Sequence, residues 1–392
     1  MQAKTRNFFI AFAIPLALSF PFGIASYVFL LNSGELDSIT EVVEHQRAEG
    51  GLYGTALHNN VYAYKLELYR AARPDVVVIG SSRVLQMRET FFEDTFINLG
   101  RTVNSAREAE LLIDDMLEIS KPKMVFFGID FWWGNPNTVE ALHFLNHDDR
   151  GGALTPEALF APVKWLVDGK FDFGFFTDLV TGRLSASSAN RFGLSAIRRG
   201  LGFARDGSNY YLAWVYGRTD PPYVKFKETL RWLGVANSHY RFGQEVSEER
   251  LATIKRSVDM LKVAGVEVVT FVTPVAPLIW QEMEKKGDRY SYIHGFRERL
   301  HTINDRHFDF FDAAQMGSGD CEFVDGIHGG DVNMARQVKA MSEALPSSMR
   351  ARVDVKHLEQ LIKRYSGNAL SDDQFRLPDE REIDFLQLDC DK

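Results

Sequence analysis

Val76, Val77, Val78 and Ile79 form an unbroken apolar run that leads into Gly80, Ser81 and Ser82. A short run of this kind, with no polar alternation, reads as a strand buried on both faces, as in a parallel sheet. A turn at the carboxyl end of such a strand is where open α/β sheets place their ligand sites. The residues that follow are expected to open a helix. A serine there would lie among free backbone N–H groups that favour developing negative charge.

Strand and helix signals then alternate. Phe96 to Leu99 is expected as a second strand, and Ser105 with Glu108 three residues on marks a helix start. Ala109, Leu112, Ile113 and Met116 recur at helical spacing, and the helix ends before Pro122. Lys123 to Asp130 reads as the third strand. Ser247 caps a helix that Gly265 closes, Val266 to Val272 is a fourth strand, and Phe308 to Phe311 a fifth. Val332 to Leu345 is the closing helix. The rhythm predicts an α/β fold with a parallel, doubly wound sheet of about five strands. Residues 131–245 break the rhythm, with glycines and aromatics such as Trp132, Trp133, Phe171, Phe176, Tyr211 and Trp214. They are expected as one large helical insertion, a cap whose aromatics either line an acceptor groove or form its own small core.

At the amino end, residues 8–31 carry no charged side chain, enough to span a bilayer. Lys4 and Arg6 precede the run, while Glu35, Asp37, Glu41 and Glu44 follow it. The expected arrangement is one transmembrane helix, amino terminus inside and the rest exported. The other reading is a cleaved signal peptide, whose apolar stretch is usually shorter. Residues 32–74 would then be a membrane-proximal connector, with Tyr53, Tyr62, Tyr64 and Tyr69 resting on the membrane interface or on the domain. Residues 75–345 would be the α/β domain, and 346–392 a helix and an acidic tail that is mobile or wraps an edge.

A net charge of −8 argues against nucleic-acid binding. Two cysteines make neither a disulfide framework nor a four-ligand zinc site. A free buried thiol is expected at Cys321 and a tail thiol at Cys390, with one bridge open to them in an oxidising compartment. No nucleotide-binding glycine motif is present and no cofactor is expected. His147, Asp148 and Asp149 have metal-ligand chemistry but read as a solvated loop.

Between the fifth strand and the closing helix lie Asp325 and His328, three apart around Gly326, with Gly329 and Gly330 next. A carboxylate so placed can bond Nδ1 of the histidine and leave Nε2 as a base. In a parallel sheet this loop shares an edge with the Gly-Ser-Ser turn. Asp331, beside it, reads as a helix N-cap, and Arg83 as either an anion-holding group or a salt bridge.

Together these blocks resemble the SGNH/GDSL hydrolases. Ser82 stands at the nucleophile position, and Asp325-Gly326-Ile327-His328 matches the family's last block. The resemblance covers roughly 75–130 and 246–345. It implies a three-layer, flavodoxin-like sheet and ester hydrolysis or acyl transfer through an acyl-serine. It places an oxyanion hole at Ser82, Gly100, Val103 and Asp130. Two blocks depart from the pattern: Val103 stands where a glycine is expected, and Asp130 where an asparagine side chain would donate. Asn104 and Asn135 are alternative donors, each also a natural turn residue. Among SGNH proteins the chain is most similar to membrane-anchored, extracytoplasmic members that acylate cell-envelope polysaccharides. That likeness implies a polysaccharide acceptor and a membrane-bound O-acyltransferase partner. The other readings are a carbohydrate esterase and a catalytically idle, polysaccharide-binding scaffold.

Overall fold

The computed structural model describes residues 20–58, 60–140, 142, 154–218, 223–371, 375–376 and 379–392. The chain divides into two compact units, residues 1–60 with 148–202 and residues 61–147 with 203–392.

The second unit contains the expected sheet. Five strands, β1 (Val76–Gly80), β2 (Phe96–Gly100), β3 (Met124–Ile129), β4 (Glu267–Val272) and β5 (His307–Asp309), pair in the order β2-β1-β3-β4-β5. Every pairing is parallel. This 2-1-3-4-5 order is one of the two common doubly wound arrangements, and its reversal point lies at β1 and β3. β1 is buried at all five positions, because helices cover both sheet faces. On one face, Val76, Val78, Phe126, Val269 and Phe271 pack with Val332, Val338 and Met341 of α4 (Asp331–Ala344) and with Leu358 and Leu361 of α5 (Val355–Tyr365). Elsewhere, α1 (Val61–Ala72) packs against β2, and α2 (Ala106–Ile119) against α3 (Glu248–Val263). The serine caps expected for α2 and α3 are present: Ser105 accepts from the Glu108 N–H (3.2 Å) and Ser247 from the Arg250 N–H (3.4 Å).

The first unit has its own core. Phe29 and Leu30 of the helix over 20–32 pack with Trp165, Phe171, Phe176, Leu179 and Leu194.

Three expectations are corrected, and an alternative left open for the tail is decided. Residues 131–245 are not one cap: 148–202 cluster with the amino-terminal segment, and 203–245 belong with the sheet. The reason is the core just named, which takes up aromatics of the insertion. The connector is likewise divided, since α1 belongs to the sheet unit and buries Tyr62, Tyr64 and Tyr69 there. Cys321 and Cys390 are not free thiols but a disulfide. The described part of the tail is pinned, with Phe385 and Leu386 buried and Glu382 accepting from the Ala369 (2.8 Å) and Leu370 (2.9 Å) N–H groups.

Half of the membrane anchor expected over 8–31, residues 8–19, lies outside the described residues, as do His147, Asp148 and Asp149. Among the described residues no helix is long and apolar enough to cross a membrane.

Candidate active site

β1 ends at Gly80, whose φ of +156° would be strained in any residue with a side chain. The chain turns there into a single 3-10 turn, Ser82–Val84, capped by the Ser81 hydroxyl, which accepts from the Arg83 N–H (3.2 Å). The expected helix does not follow, so Ser82 has one free turn of backbone beside it and no long helix dipole. Asn98, fully buried in β2, holds the turn in place. Its amide donates to Val84 O (2.8 Å) and Met87 O (3.0 Å), and its carbonyl oxygen accepts from the Gly100 N–H (2.7 Å).

The loop after β5 brings in the partners. Gly326, at φ +95°, folds it back so that Asp325 and His328 face one another. The Asp325 carboxylate accepts from His328 Nδ1 (2.6 Å) and from the main-chain N–H groups of His328 (2.9 Å) and Ile327 (3.1 Å). Nε2 of the same ring lies 2.7 Å from Ser82 Oγ. The three residues predicted from separate ends of the chain therefore form one hydrogen-bonded line. Burial acts to raise the Asp325 carboxyl. His328 and the two N–H donors outweigh it and hold the group below the ordinary carboxylate range. The loop is fixed by Thr229 Oγ1 on Asp325 O (2.6 Å), the Ala276 N–H on Gly326 O (2.8 Å) and the Val324 N–H on His328 O (2.8 Å).

Arg83 is not a surface group waiting for an anion. It is 1% exposed, and its guanidinium donates to Ile327 O (3.0 Å), Thr273 O (3.0 Å), Pro274 O and Asp130 Oδ1 (3.2 Å). It ties the serine turn to the histidine loop and to the ends of β3 and β4. Burial lowers its pKa, and Asp130 opposes that shift.

The residues placed at the oxyanion hole separate into two groups. Among the described residues, the main-chain N–H groups of Ser82 and Val103 have no protein partner, which leaves both available to an oxyanion. Gly100 is excluded because its N–H is spent on Asn98. Asp130 is excluded as a donor because its Oδ1 accepts from Arg83 and from Thr273 Oγ1 (2.7 Å). Its side chain thus anchors Arg83 where an asparagine would donate. Asn135 is a turn residue, donating to Arg241 O (2.6 Å) and accepting from the Asn137 N–H (2.9 Å). Asp331 is the first residue of α4 and not its cap. Its carboxylate accepts from Ser371 N (2.9 Å) and Oγ (2.8 Å), holding the segment beyond α5.

Asn98, Thr273 and His239 were not singled out by sequence. The one available signal was Asn98, a polar residue inside an otherwise apolar strand; Thr273 and His239 reach the site only through the fold. Chemically, the arrangement can take a proton from Ser82 onto His328 and orient the imidazole through Asp325. No protein-family model matches the chain, and no curated protein matches it either.

Proposed function

We propose that this protein is a serine-dependent acyl-transfer enzyme of SGNH type. The observation that carries the reading is the continuous Ser82–His328–Asp325 hydrogen-bond line, 2.7 and 2.6 Å long. Ser82 Oγ attacks the acyl carbonyl while His328 accepts its proton. The Ser82 and Val103 N–H groups receive the oxyanion, and the acyl-serine passes its acyl group to a hydroxyl or to water. We further propose that the acceptor is an exported or cell-envelope polysaccharide and that residues 8–31 hold the domain outside the cytoplasmic membrane. There a membrane-bound O-acyltransferase would supply the acyl group. The uncharged amino-terminal run and the disulfide support that location, since disulfides persist in oxidising compartments.

Labelling with a fluorophosphonate probe tests the serine chemistry. Wild-type protein is expected to label and Ser82→Ala is not, and no labelling of either would return the chain to a scaffold role. Polysaccharide acyl content in a Ser82→Ala strain tests direction. A transferase predicts a fall, whereas a rise would identify an esterase.

A further inference from the structure

At His239 lies a cavity of about 280 Å³, a little below the usual range for small-molecule sites (about 300–1,000 Å³). Asn104, Ser105, Thr138, Asn237, Ser238 and His239 line it with amides, hydroxyls and one imidazole, and Val139 is its one aliphatic lining residue. The charged lining group, Arg241, is exposed and donates to Asn137 O (3.1 Å). Such a wall suits a neutral ligand rich in hydroxyls. It suits neither an anion nor a long acyl chain.

Three observations connect the cavity to the reaction. His239 stacks on Trp132 with ring centroids 4.2 Å apart, and Trp132 packs beside the Arg83 guanidinium. His239 is also within electrostatic range of Asp130, Arg83 and His328. Among the described residues, neither ring nitrogen of His239 has a hydrogen-bond partner, and Thr138 Oγ1, on a residue only 9% exposed, has none either. A buried hydroxyl without a partner is costly to leave so, and a ligand hydroxyl would satisfy it. Finally, Ala236 and Ser238 hold φ values of +53° and +51°, strain that presents Asn237 to His239 as one wall. Burial brings His239 down to about 4, so at neutral pH its ring both donates and accepts.

We propose that this cavity seats the second substrate of the Ser82 centre, a neutral polyhydroxylated acceptor such as a sugar ring, and that His239 positions its reacting hydroxyl. The proposal rests on the acyl-serine reading above. In the transfer step the acceptor O–H gives its proton to His328 Nε2. Its oxygen bonds the acyl carbon, the bond from that carbon to Ser82 Oγ breaks, and His328 returns the proton to Oγ.

The test uses the full chain in detergent with p-nitrophenyl acetate as donor and methyl glucoside as acceptor. The readout is the ratio of acetyl-glucoside to free acetate. Both products come from one acyl-enzyme, so the ratio reports acceptor positioning and not the acylation rate. His239→Phe, which keeps the ring stack, and Thr138→Val, which keeps the shape, are each expected to lower the ratio at least tenfold. His239→Gln, which keeps a donor and an acceptor, is expected to restore part of it. Wild-type protein that makes acetate but no acetyl-glucoside, or variants that keep the wild-type ratio, would overturn the cavity's role. Wild-type protein that releases no p-nitrophenolate and resists the fluorophosphonate would instead overturn the acyl-serine reading, and the proposal with it.

Discussion

At the scale of single residues, the site depends on a charge that never meets solvent. Arg83 and Asp130 are both fully buried at their side chains, and Arg83 also holds the carbonyl of Ile327, next to His328. Removing one member of a buried pair strands the other charge, a cost of about 3–5 kcal/mol. Arg83→Ala should lose stability of that order in urea unfolding and also slow fluorophosphonate labelling, because the histidine loop loses its tie to the serine turn. Adding Asp130→Asn should recover part of the stability, since the stranded carboxylate is gone. An undiminished stability in Arg83→Ala would refute the cross-link. Asp325→Asn addresses a different link. It leaves the shape intact but favours the wrong imidazole tautomer, so turnover should fall by about 10⁴ with little change in melting temperature. The Ser82–His328–Asp325 line was legible because each member belongs to a short local motif, Gly-Ser-Ser or Asp-x-x-His. The role of Arg83 was not, because its four acceptors come from three separate segments.

At the scale of elements, strand positions were readable from apolar runs, and the structure moves their ends by only a residue or two. The turn after β1 was misread because Gly-Ser-Ser opens a 3-10 turn as readily as a helix, and periodicity cannot tell the two apart over three residues. For the carboxyl-terminal segment, composition alone allows both a mobile tail and an edge wrap. Its acidic composition looks mobile, yet Cys390 is bonded to Cys321 across 69 residues, and Lys392 donates to Gly367 O (2.6 Å) and Glu382 Oε1 (2.5 Å). A loop of that length closed in the unfolded chain corresponds to about 4 kcal/mol in the chain-entropy treatment. Reduction with dithiothreitol, or Cys390→Ser, should therefore lower the melting temperature and raise hydrogen exchange over 379–392. A segment equally protected with and without the bond would show that Phe385 and Leu386 hold it alone.

At the scale of the whole molecule, every residue of the proposed reaction lies in the sheet unit, while the first unit is assembled from segments far apart in sequence. That division was invisible to a linear reading, since residues 20–32 and 156–180 are brought together only by the fold, through a shared core and the Asn32 amide on Leu179 O (2.7 Å). The molecule's response to pH follows from buried imidazoles. His307, on β5, is 7% exposed; its Nδ1 lies 3.0 Å from Thr270 Oγ1, and its Nε2 has no partner among the described residues. Burial, with His301 beside it, brings its pKa down to about 3 against an ordinary 6.5. Because the folded value is depressed, the unfolded chain binds the proton first as acid is added. The neutral ring's contribution is therefore whole above pH 6.5 and drains away as the pH falls toward 3. At pH 5 the loss from this one group is about 2 kcal/mol. Asp325, whose folded value lies below the ordinary 3.8, loses its contribution only as the pH falls through 3.8, below the interval from pH 7 to pH 5. The measurement is urea unfolding of wild type and His307→Gln at pH 7 and pH 5. Subtracting the two cancels groups common to both proteins, His239 and the buried Glu35 among them. Wild type should lose about 2 kcal/mol more than the variant over that interval, and parallel curves would mean that His307 takes up its proton without leaving the fold.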